Sequence, residues 1–128
     1  MSGTVINMGD YRRLLAWQRA RALAGMVYRT TERLPVQERF GLASQMRRAA
    51  ISVISNIAEG ASRGSDPELR RFLLIARGSL GELQSQIIVA TDLHLIADGT
   101  AQSLGESASE TGRLINGLLR RYAALPRR

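Results

Sequence analysis

The amino-acid sequence predicts an all-α chain folded as an antiparallel, up-down-up-down four-helix bundle. Apolar residues recur at helical spacing through four successive stretches. The last two stretches keep a regular 4-3 apolar repeat, the pattern of helices that cross at a shallow angle. Only short breaks separate them, at Pro35, across residues 60–65 and at Asp98-Gly99, so consecutive helices must lie antiparallel. A chain of 128 residues is long enough for one domain with its own core.

Residues 1–10 show no periodicity and read as a disordered tail, 11–125 as the bundle domain, and 126–128 as a short basic tail. The first helix is expected over 11–34, with Trp17, Ala20, Ala24, Val27, Tyr28, Thr31 and Leu34 on its inner stripe. Trp17, the single tryptophan, is the expected core anchor. Pro35 ends this helix, because its ring cannot continue the hydrogen-bond ladder and it pushes the preceding residue out of the helical region.

The second helix is expected to begin near 37–41 and to stop at Gly60, a residue suited to the left-handed position after a helix. Leu42, Ala43, Met46, Ala49, Ala50, Val53, Ile54 and Ile57 share a wide apolar arc, which Ile51 and Ala58 extend. Gln45, Arg48, Ser52, Asn56 and Glu59 form the opposite side. These are amides, hydroxyls and ions able to hydrogen-bond in a partly dry place, so the side reads as a network at a helix or subunit boundary. An unpaired buried guanidinium is costly, and Glu59 or Glu82 is the expected partner of Arg48.

Ser65 reads as the cap of the third helix, with Glu68 as its reciprocal partner and Pro67 in the first turn. This helix is expected over 66–95, its seam formed by Leu69, Leu73, Ala76, Leu80, Leu83, Ile87, Ala90 and His94. Gly78, Ser79 and Gly81 lower helix propensity and suggest that a neighbouring helix or subunit passes close. The fourth helix, over 100–125, repeats Leu104, Ala108, Thr111, Ile115, Leu118, Tyr122 and Leu125, with Glu110 and Arg113 placed to pair across one turn.

The net charge is +7, and every basic residue is arginine. Arginine's planar fork suits phosphate, although a GC-rich genome also replaces lysine throughout. The charge is uneven: residues 1–34 carry +4, 35–63 carry +2, 64–98 carry −2 and 99–128 carry +3. The first and last helices are therefore expected to build a basic surface. Arg12, Arg13, Arg19, Arg29, Arg33, Arg120 and Arg121 are the candidate nucleic-acid contacts, of a kind that depends little on base sequence. The rival reading is a structural or protein-interaction module whose arginines pair with acids inside an assembly.

No catalytic residue and no cofactor is predicted. Without cysteine there is no disulfide framework, thiolate metal site or cysteine nucleophile. The single histidine, His94, has Thr91 three residues before it, so the Glu-x-x-His pattern of di-metal bundles is missing and no metal site is predicted. Ser79, His94 and Asp92 make a triad on paper only, with no strained nucleophile turn. The loop over 60–65 opens onto a helix start but lacks the phosphate-binding lysine and a preceding strand. The chain has neither the basic start and apolar run of a signal peptide nor an apolar run of roughly 20 residues that would span a bilayer. A cytoplasmic protein without membrane contact is the expectation.

Three stretches, YRRLLAWQRA, LPVQERFGLASQMRRAAISVISNIAEG and ELRRFLLIARGSLGEL, closely resemble the bacterial 23S rRNA intervening-sequence proteins. Ile54 stands where that family usually has proline, which puts a family-type kink in doubt. The resemblance implies a four-helix bundle assembling into a ring, often a homopentamer. It also implies a distant likeness to the accessory variability determinant of diversity-generating retroelements, a basic bundle that binds RNA or DNA and a reverse transcriptase. These are expectations about fold and partners; they assign no reaction.

Overall fold

The computed structural model describes residues 8–123. Its four helices are α1 (Leu15–Thr31), α2 (Leu42–Ser62), α3 (Asp66–Asp92) and α4 (Asp98–Arg121). Short 3-10 turns, Met8–Arg13 and Val36–Glu38, precede α1 and α2, and the described residues contain no strand. Each helix packs on its two neighbours in a square that runs from α1 through α4 and back, with no close approach across the diagonals. This is the up-down-up-down bundle that the apolar periodicity predicts.

α1 is shorter than expected because Leu14 is extended, with φ −70° and ψ 126°, and breaks the chain from the preceding 3-10 turn. That turn packs on α2 as well as α1. Tyr11 within it meets Trp17 edge to face at 5.4 Å. Trp17 is only partly buried and packs on the rim of the core, while Ala16, Ala20, Leu23, Val27 and Thr31 form the buried stripe. Small side chains let α1 approach its neighbours closely, and an amphipathic indole fits better at a partly wet edge. Tyr28 is likewise exposed rather than core. The first seven residues of the expected tail, Leu125 and the 126–128 basic tail lie outside the described residues.

α2 buries Ala43, Met46, Ala49, Ala50, Val53 and Ile57 and runs unbroken through Ile54; Ile51 faces outward. Gly60 does not end it. A Cβ at Gly60 would lie 2.8 Å from the Phe72 Cβ and 3.2 Å from the Leu69 carbonyl oxygen, so at this glycine α2 and α3 approach too closely for a side chain. The left-handed residue of the turn is Gly64, with φ 85°.

Ser65 caps α3 by accepting the Glu68 N–H at 3.3 Å, but the reciprocal arm is missing. The Glu68 carboxylate instead accepts from Arg71 Nε at 3.1 Å. The predicted seam from Leu69 to Ala90 is buried throughout. Its last expected member is not: α3 stops at Asp92, and His94 is exposed in the left-handed region with φ 58°. The Leu95 N–H donates to Ala90 O at 2.9 Å and the His94 N–H to Thr91 O at 3.0 Å, which makes a Schellman ending with histidine in the usual glycine position. No atom lies within 4 Å of a Cβ built at Gly78 or Gly81, so no helix among the described residues passes there.

In α4 the buried positions are Leu104, Ala108, Thr111, Ile115 and Leu119. Leu119 replaces the expected Leu118, because a straight helix drifts away from a strict seven-residue repeat. The expected Glu110–Arg113 pair is absent, since Glu110 is taken across the α1–α4 seam by Arg19 at 3.1 Å.

Candidate nucleic-acid interface

Antiparallel packing sorts the arginines between the two ends of the bundle. The start of α1, the end of α2, the start of α3 and the end of α4 meet at one end. Arg12, Arg13, Arg120 and Arg121 of the predicted set gather there, joined by Arg63, Arg70 and Arg71. Arg29 and Arg33 lie at the far end. They line a concavity of about 450 Å³ against Leu95, Ile96, Ala97 and Thr100 at the entry to α4. The seven predicted contacts therefore do not form one patch.

Their electrostatic situations also differ. Arg12 and Arg13 stand 3.8 and 3.9 Å from the Asp10 carboxylate, loose pairs on exposed side chains. Arg19 is occupied by Glu110. For Arg29, Arg33, Arg120 and Arg121 no carboxylate among the described residues comes within 4.0 Å, and the same holds for Arg21, Arg39, Arg48 and Arg113. Exposed ion pairs contribute about 0.2–1 kcal/mol, so even the paired guanidiniums exchange partners readily. The hydrogen bond from Arg71, reinforced by the charges of Arg71 and Arg63, holds the Glu68 carboxyl below its ordinary value.

The predicted α2 network divides in three. Asn56 Nδ2 donates to Ser52 O at 2.8 Å and to Ser52 Oγ at 3.1 Å, and Ser52 Oγ meets Ser79 Oγ of α3 at 2.6 Å. These hydroxyls tie α2 to α3. Glu59 accepts from Arg63 at 2.9 Å, one turn on along the chain, instead of pairing with Arg48. Glu82 accepts from Gln86 Nε2 at 3.4 Å. Gln45 and Arg48 are exposed, and Arg48 makes no hydrogen bond or ion pair among the described residues.

The arginine that does join helices is Arg47. Its Nε donates to Thr31 Oγ1 at 2.7 Å, its Nη2 donates to Tyr28 O at 3.2 Å, and its guanidinium lies 4.5 Å from the Tyr28 ring. The charge thus sits on the carbonyl end of α1, where the helix dipole favours a cation. Its position at the edge of the apolar arc was the signal in the sequence.

Arg70 and Arg77 were also missed. Arg70 Nη1 donates to Leu119 O at 2.8 Å and Arg77 Nη1 to Asn116 Oδ1 at 3.2 Å, which fixes both side chains along the α3–α4 seam. Their segment has a net negative charge, and one of its acids, Asp66, lies one turn before Arg70 on the same face. Their seven-residue spacing, two turns apart on one face of α3, was the usable signal.

With the bundle and its arginine distribution established, comparison with known proteins places the chain. A family model described as 23S rRNA-intervening sequence protein matches residues 12–117. The chain belongs to that family. A search of curated proteins returns no match. Among solved structures, this intervening-sequence family member is similar to a protein of unknown function from the S23 ribosomal protein family of Bacteroides thetaiotaomicron VPI-5482. The likeness has a TM-score of 0.76 at 18% identity and covers 86% of this chain and 100% of the other. It supports the four-helix fold alone. Among the described residues, no group of three or more histidines, cysteines or acids is placed to hold a metal, and no helix is long and apolar enough to cross a membrane.

Proposed function

We propose that this member of the intervening-sequence family is a non-enzymatic, oligomeric helical bundle of the cytoplasm whose arginine surface binds nucleic acid with little dependence on base sequence. The observation that carries this reading is the surplus of unpaired guanidiniums. Eight exposed arginines have neither a carboxylate within 4.0 Å nor a side-chain hydrogen bond among the described residues, in a chain of net charge +7. Phosphates are the abundant anions whose geometry the arginine fork matches. A protein partner such as a reverse transcriptase fits the same surface as an accessory.

Self-assembly, the homopentameric ring implied by the resemblance, draws support from a second feature. Ile51 on α2 and Ile75, Val89 and Leu93 on α3 are all more than 40% exposed, on helices already tied together at Ser52 and Ser79. An apolar face of this kind also favours the alternative reading, a protein-interaction module without nucleic acid.

Fluorescence anisotropy of labelled single-stranded RNA, duplex RNA and duplex DNA over rising salt tests the proposal. The expected outcome is a Kd in roughly the micromolar range or tighter, a steep loss of affinity with salt, and weaker binding once Arg120 and Arg121 become alanine. Absence of binding at low salt would refute it and leave the interaction module.

A further inference from the structure

Two adjoining concavities, of about 440 and 570 Å³, run along the α3–α4 seam at the basic end of the bundle. Both are lined by Arg70, Leu74 and Ala123. The first adds Arg77 and Arg120, the second Asp66, Pro67, Arg71 and Tyr122. Together they make one groove with an apolar floor and walls that carry four arginines against one carboxylate, Asp66. Arg70 and Arg77 each spend one N–H on α4, which immobilises the fork while other donors remain. Arg120 has no partner among the described residues. Tyr122 lines the groove with Arg121 packed 5.4 Å from its ring, and Leu74 is 40% exposed beside it.

We propose that this groove is a track for single-stranded nucleic acid, with Arg70, Arg77 and Arg120 on the phosphates and an unpaired base against Tyr122 and Leu74. The inference rests on the nucleic-acid reading above and adds to it the form of the ligand and the place where it binds. Three considerations select a single strand. The cleft between two packed helices, whose axes lie about 8–10 Å apart, admits one strand in its length. An aromatic ring beside fixed arginines is the combination that holds single strands by stacking and charge together. In a duplex the base faces are already stacked, so Tyr122 and Leu74 find nothing to cover. An acidic peptide would use the arginines but would leave the ring and the leucine exposed.

The test measures anisotropy of labelled oligouridine and of labelled duplex RNA against the full chain and its variants Arg77→Ala, Arg120→Ala, Tyr122→Leu and Tyr122→Phe, over rising salt. Arg29→Ala with Arg33→Ala, at the far end, measures what arginines outside the groove contribute. Each groove arginine lost should lower the salt slope for oligouridine by about 0.7. Tyr122→Leu should weaken oligouridine about tenfold and leave the duplex unchanged, while Tyr122→Phe keeps the affinity. Arg120 makes no hydrogen bond among the described residues and Tyr122→Phe preserves packing, so these two variants remain informative if Arg77→Ala unfolds. Binding that ignores all groove variants but falls with Arg29 and Arg33 would overturn the groove and leave the nucleic-acid reading standing; a wild type that binds nothing at low salt would overturn both. If the groove variants change the assembly's mass by light scattering instead of its affinity, the groove is an interface between copies and the inference fails.

Discussion

Replacing Gly60 with alanine isolates the contact on which the α2–α3 pair depends. A methyl there would meet the Phe72 Cβ at 2.8 Å, the Leu69 carbonyl oxygen at 3.2 Å and the Leu69 Cα at 3.3 Å. None of these atoms is the free end of a flexible side chain, so the helices must part by roughly an ångström. Overpacking against a rigid neighbour costs about 3 kcal/mol. Alanine returns about 1 kcal/mol through its higher helix propensity. The net loss is about 2 kcal/mol, and for a domain of this size the melting temperature falls by about 8 °C. Gly78→Ala supplies the internal control. It is also helical but has nothing within 4 Å of its Cβ, and it should gain about 1 kcal/mol. Thermal unfolding by circular dichroism at one fixed protein concentration reads both, since self-association makes the midpoint concentration-dependent. If Gly60→Ala stabilises as much as Gly78→Ala does, the close approach is wrong.

Two further substitutions probe single contacts. His94→Gly removes a side chain from a left-handed position at φ 58°; the relief of about 1–2 kcal/mol, less glycine's extra unfolded-state freedom, should raise stability by up to about 1 kcal/mol in denaturant titration. A loss instead would mean that the imidazole makes a contact outweighing the strain. Arg47→Ala should cost about 2 kcal/mol through the bonds to Thr31 and Tyr28, whereas Arg48→Ala on the exposed side should change folding by less than about 0.5 kcal/mol. The opposite ranking would contradict the assignment of Arg47 as the residue that joins α1 to α2.

The α3 seam was legible because seven apolar residues in a 4-3 repeat leave a helix only one face to bury, and Leu69 through Ala90 are all inside. His94 continued that spacing but not that chemistry; spacing alone does not reveal that a helix has stopped, and the Schellman bonds that stop it involve only backbone. Trp17 and Tyr28 were overrated for the same reason in reverse. Large aromatic area suggested the core centre, while the interior was filled by Leu23 and a run of alanines. Gly60 was read by its end-of-helix preference when its role is steric, and steric need depends on a neighbour that lies outside its own helix. The arginine surface was legible as an excess but not as a pattern. Segment charge averages over helix faces, so a net-negative α3 concealed Arg70 and Arg77, while Arg19, named as a candidate phosphate contact, had Glu110 across the seam.

The two parts of the proposed function make separate demands on α3, and the helix has room for both. The bond between Ser52 and Ser79 fixes one side of α3 toward α2, and Ile75 lies one turn before Ser79 on that side. The bonds of Arg70 to Leu119 O and Arg77 to Asn116 fix another side toward α4. Self-association through the exposed apolar residues and strand binding along the groove therefore draw on different surfaces and need not compete. A ring built through the first would present one groove per copy. A strand held weakly in one groove would meet the next at high effective concentration, so avidity could supply what a few arginines and one tyrosine cannot. Variants that leave the bundle folded but block assembly should then weaken long strands far more than strands short enough to occupy a single groove.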